Sequence, residues 1–163
     1  MTHQAERPFF VVTSNLVAKV LGTSFLVNAD GDKELVSVKT GLVNISSPKS
    51  KAAVNISPNQ QAVYNPGAMS LTATLAEKPQ RFTSGKLYFE KAPIAEIFDE
   101  LAKAYRLEIN YDKKKLANCR LTSEAGSEDL FTVLKALCLA IDGSYSIKGT
   151  TIEIKSSGCR SEK

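Results

Sequence analysis

Tryptophan is missing from this 163-residue chain, histidine occurs once, as His3, and cysteine only three times. Each scarcity excludes something. A Ser/His or Cys/His catalytic couple needs an imidazole inside the fold, and His3 sits in the polar segment Met1 to Arg7. Cys119, Cys138 and Cys159 contain no CxxC pair, so a zinc site is not expected. No run approaches the ~18 consecutive apolar residues of a membrane span. No signal peptide of the basic, apolar, small-residue type opens the chain. Charge of one sign is not concentrated either: the formal net charge is +4, and residues 1–78 and 79–163 each carry +2. The lysine run Lys113, Lys114 and Lys115 reads as a solvated turn between strands. With no basic stripe and no aromatic RNA-binding signature, nucleic acid is not an expected partner.

What is present divides in two. Residues 8–76 carry strand signals and no helical period. FFVVTS, SFLVNA, ELVSVK, GLVNIS and QAVYNP are short β-branched or aromatic runs. They are separated by Asp30-Gly31-Asp32, Thr40-Gly41, Ser47-Pro48 and Asn65-Pro66-Gly67, all turn formers. Many short strands at close spacing predict an all-β sandwich or roll over residues 1–78. A break near Pro79 opens the second domain, 79–163, where the pattern changes.

From Gly85 to Lys148 one arrangement occurs twice: strand, helix, strand. Leu87 and Phe89 alternate with polar residues as a half-buried strand requires. Pro93 suits a first helical position, and Ile94, Ile97, Phe98, Leu101 and Tyr105 then form an amphipathic stripe. Leu107, Ile109 and Tyr111 alternate again. Leu121 belongs to a third strand, and Ser127 is a good cap for a second helix. That helix places Leu130, Val133, Leu134, Leu137 and Ile141 at a constant offset of 36 from the first stripe. It also carries Phe131, Cys138 and Leu139, so it is apolar nearly all round and needs cover on more than one side. Gly143 ends it. A hairpin around Gly149-Thr150 joins Tyr145 and Ile147 to Ile152 and Ile154. The fold class is α+β: an all-β sandwich or roll, then a βαβ-βαβ domain with two helices packed between small sheets.

No group of residues in this pattern points to catalysis, a cofactor or a metal. Asp30 and Asp32 around Gly31 lack the further oxygen ligands and distal Glu of a calcium loop. Glu96, Asp99 and Glu100 lie on the solvent face of the first helix, and the lone Gly22 of GTSF is far short of a phosphate loop. For the cysteines, an antiparallel helix on its strands brings Cys119 and Cys138 to one end of the unit, with Cys159 returning nearby. An oxidising compartment favours a Cys119–Cys138 bridge; equally, Cys138 reads as a small buried hydrophobe.

The run VTSNLVAKVLGTSFLV from Val12 to Val27, the strand VSVKTGLVNI from Val36 to Ile45 and the turn Asn65 to Gly67 resemble the core of FecR-type proteins. These are transmembrane sigma-factor regulators, or anti-sigma factors. The segment FTSGKLYFEKAPIAEIFDELAKAYRLEINY resembles their C-terminal domain, which is similar to the short N-terminal domain of secretins and TonB-dependent transducers. Phe82 stands where the family usually has Trp. The resemblance implies two βαβ repeats with helices between two small sheets, and a periplasmic sensor region of a protein anchored in the inner membrane. It implies no enzyme. The partner is the signalling domain of a TonB-dependent outer-membrane transporter, and the sigma factor is reached only through a cytoplasmic segment outside this sequence. Such a role needs docking surfaces, and unpaired strand edges are natural ones. The candidates are Leu107, Ile109 and Tyr111, and Ile152 and Ile154. The alternative function is a structural module like the secretin N-terminal domains, which the β-rich first half disfavours.

Overall fold

The computed structural model describes residues 8–29, 33–82, 86–126 and 128–159. His3, the Asp30-Gly31-Asp32 turn, Gly85 and Ser127 lie outside them. Close packing divides the chain into two units, Met1–Glu77 and Lys78–Lys163.

The first unit contains β1 (Phe9–Val12), β2 (Val17–Val20), β3 (Ser24–Asn28), β4 (Glu34–Thr40), β5 (Val43–Ser47), β6 (Ala52–Ile56), β7 (Gln60–Asn65) and β8 (Ser70–Leu75). They form two four-stranded antiparallel sheets, ordered β1-β2-β5-β6 and β3-β4-β7-β8. Alternation explains the pairing of faces. Val43 and Ile45 of one sheet and Val36 and Val38 of the other are buried in one core, with Leu16, Ile56 and Tyr64. Glu34 is also buried, and its carboxylate accepts from the Thr13 hydroxyl and, at 2.5 Å, from Asn15 Nδ2. A buried carboxylate without such donors would be costly. At Gly41, with φ of 84°, an added Cβ would lie 2.3 Å from the Thr23 methyl, so both conformation and space require glycine.

The second unit contains β9 (Leu87–Pro93), α1 (Ile94–Tyr105), β10 (Glu108–Asn110), β11 (Arg120–Ala125), α2 (Leu130–Ala140), β12 (Gly143–Lys148) and β13 (Thr151–Ser156). The two strand-helix-strand repeats interleave. Their first strands, β9 and β11, pair antiparallel in one sheet. Their later strands form the other, ordered β10-β13-β12, with β10 parallel and β12 antiparallel to β13. α1 packs on β9 and on β10, strands of both sheets, while α2 packs on β12. All ten stripe residues of the two helices are buried, from Ile94 to Tyr105 and from Leu130 to Ile141.

The helix ends differ from expectation. Pro93 occupies the cap position of α1 rather than its first turn; having no hydroxyl or carboxylate, it caps nothing, and the Ile94 N–H donates instead to the Cys119 carbonyl at 2.9 Å. The cap of α2 is Asp129, whose carboxylate accepts from the Phe131 and Thr132 N–H groups at 3.0 and 3.1 Å. The left-handed residue after α2 is Asp142, with φ of 50°, one position before Gly143. Gly143 opens β12 instead, where a Cβ would lie 2.6 Å from the Lys155 carbonyl oxygen. α2 is also less covered than its composition suggests. Leu139 is 73% exposed and Phe131 half-buried, because its core face is only the stripe from Leu130 to Cys138.

Candidate interaction surface

The five residues read as docking contacts lie in the three-stranded sheet or just beside it, in two distinct settings. Ile109 pairs with Ile152 where β10 lies beside β13, and β10 is an edge strand. β13 is the central strand, bonded on both sides, so the expectation that Ile152 and Ile154 offer a free edge is overturned. Both isoleucines are buried in the core, Ile152 completely. Leu107, just ahead of β10, is buried too, and its N–H closes the end of α1 by donating to the Ala102 carbonyl at 3.0 Å.

Tyr111 follows β10 and packs its ring against Phe98, with centroids 5.2 Å apart. Its hydroxyl lies 3.3 Å from the Ala95 carbonyl oxygen and 3.2 Å from an Asp99 carboxylate oxygen. Burial, and then the Asp99 charge, raise the tyrosine pKa. Tyr111 therefore fastens β10 to α1; its hydroxyl is already engaged.

The bridge is Cys119–Cys159, with Cα atoms 5.5 Å apart, and Cys138 is a buried free thiol. This corrects the Cys119–Cys138 pairing. The end of the unit was right but the side of the helix was not. Cys138 faces β12, where it lies close enough to Tyr145 to raise the phenol pKa after burial has done so, and burial raises the Cys138 thiol itself. β13 meanwhile carries the chain back to Cys119, and the Cys159 N–H points at the Cys119 sulfur at 3.1 Å. The bridge closes a loop with a sequence separation of 40, holding the whole second repeat. Because Cys119 also receives the first N–H of α1, the bridge ties both repeats at one point.

A surface depression of about 320 Å³ is lined by residues that include Arg81, Tyr105, Glu128 and Asp129. Its acids are occupied. Backbone N–H groups, Glu128's own and that of Gly126, hold the Glu128 carboxyl below its usual range, and the Thr132 hydroxyl leads in doing so for Asp129. They act as turn and cap acceptors. Among the described residues no three His, Cys, Asp or Glu are placed to hold a metal ion.

The hairpin of β12 and β13 was expected; what sequence reasoning missed is that β12, not β13, is the free edge. It is the other edge of the three-stranded sheet, and the Phe131 ring of α2 stacks on its Tyr145, with centroids 6.1 Å apart and planes within 10°. The available signal was Leu139, an aliphatic residue on the side of the second helix opposite its buried stripe.

Comparison with known proteins gives a match of residues 86–154 to the family model described as FecR, C-terminal. Two crystal structures of a provisionally assigned anti-sigma factor from Parabacteroides distasonis also align, at 1.65 and 2.50 Å resolution. Each is 26% identical, over 96% of this chain and 74% of that one, with a TM-score of 0.43. A search of curated proteins gives no match.

Proposed function

We propose that the chain, whose residues 86–154 match the FecR C-terminal family model, is the periplasmic sensor region of a FecR-type anti-sigma factor. In this reading the signalling domain of a TonB-dependent outer-membrane transporter docks on the chain. The message then crosses the inner membrane through the rest of the regulator to an extracytoplasmic-function sigma factor. The family match over residues 86–154 carries the reading. Two further features support it. The Cys119–Cys159 bridge suits an oxidising compartment such as the periplasm. And Tyr111, Glu128 and Asp129 of the second unit are engaged at a strand end, a turn and a helix cap.

Titration calorimetry tests this directly. The purified chain is expected to bind the signalling domain of its cognate transporter in a saturable one-to-one isotherm. A flat isotherm, under conditions where the full-length regulator binds, would remove this piece from the docking step.

A further inference from the structure

An edge strand offers a row of unpaired N–H and C=O groups, and folds blunt such edges with shortness, charge, proline or a bulge. Among the described residues, the second unit treats three of its four edge strands in this way. β10 is only three residues long. β9 carries Glu90 and Lys91, the latter at a φ of 45°, and ends in Pro93. β11 is charged at Arg120 and Glu124 and breaks register between Leu121 and Ser123. β12 is neither short, nor broken by a bulge, nor ended by proline. All six of its residues pair with β13 in unbroken register, and its one charge is Lys148, at the far end.

Beside β12 runs a row on α2 at i, i+4 and i+8: Phe131, Lys135 and Leu139. Phe131 starts the row stacked on Tyr145. Leu139 ends it 73% exposed, and Ile147 of β12 is 43% exposed. Lys135 enters none of the ion pairs among the described residues. The row is apolar, cationic, apolar. Four helical residues rise about 6.0 Å, and two strand residues about 6.7 Å. Three row positions therefore match three alternate side chains of a strand.

We propose that the free edge of β12 and this row together bind an extended segment of a partner protein, with the pattern apolar-x-acidic-x-apolar. Backbone bonds to β12 supply the pairing, and the central carboxylate meets Lys135. The inference rests on the docking role proposed above and says where that docking occurs.

The probe is the acetylated peptide amide Ser-Val-Thr-Glu-Thr-Val-Ser, added at millimolar concentration to the full chain, with backbone amide exchange read residue by residue. Slowed exchange in β12 is the expected result. Lys135→Glu should weaken binding about tenfold and shift preference to the peptide with Lys in place of Glu. Equal binding of both peptides, protection on β9 or β10 instead, or no protection would overturn the proposal. So would a β12 edge already protected, in a concentration-dependent way, by a second copy of the chain. The two readings fail separately. If the wild-type chain and Lys135→Glu bind the transporter signalling domain equally well, the β12 site falls and the docking role stands. If the peptide binds but the signalling domain does not, the docking role falls and the edge site stands.

Discussion

The row Phe131, Lys135, Leu139 on α2 has an equivalent on α1 at the repeat offset of 36: Ala95, Asp99, Lys103. The two rows sit on the same side of matching helices and have opposite fates. On α1 the Ala95 carbonyl and the Asp99 carboxylate are held by Tyr111, and Lys103 pairs with Glu100 at 2.8 Å. On α2 the row ends in an exposed leucine. Beneath both, the buried stripes are matched residue for residue. A repeat can thus keep one core and vary its outer face, and under the docking proposal the divergence marks the copy that would meet a partner.

The shared core is the part hardest to change. Phe98 and Leu134 are equivalent and fully buried. Phe98→Ala should cost about 3–5 kcal/mol and Leu134→Ala about 2–5 kcal/mol, read by chemical denaturation. A difference far outside those ranges between the two would break the equivalence of the copies.

The bridge comes next. The chain-entropy estimate for a closed loop of this size is about 4 kcal/mol, so Cys119→Ser with Cys159→Ser should lower the melting temperature of the second unit. An unchanged melting temperature of the second unit would contradict a stabilising role for the bridge.

A smaller effect separates the helix starts. Asp129 caps α2 through hydrogen bonds to its ionised carboxylate, which lower its folded pKa below 3.8. A depressed pKa gives stability that is present above the unfolded value and lost as pH falls through the folded one. Asp129→Asn should therefore flatten the acid side of the stability curve without altering its neutral plateau much. α1, whose first N–H bonds to a backbone carbonyl, has no such cap to titrate. Smallest of all, Leu139→Ser should change stability by about 0.5 kcal/mol or less, as expected of an exposed site, while weakening the peptide.

Much of this was legible in the sequence. The helical stripes were, because a 3.6-residue period over a dozen residues has no competing reading. The strands β2, β6 and β8 were harder. VAKV, AAVNI and SLTATL rely on alanine or threonine, whose alternation is faint, although each pairs with the strand just before it. A different limit hid the β12 edge. That β13 is central and β12 an edge depends on β10 arriving parallel from the first repeat, a long-range pairing no local pattern records. Cysteine pairing failed for a related reason: the end of a helix can be placed from topology, but the side it shows cannot.

Amide exchange of the full chain, with and without the transporter signalling domain proposed as its partner, tests the asymmetry of the two copies most directly. The expected result is slowed exchange along β12 and the exposed side of α2, with β10 and α1 unchanged. Protection centred on β10 and α1, or spread evenly over both copies, would contradict it.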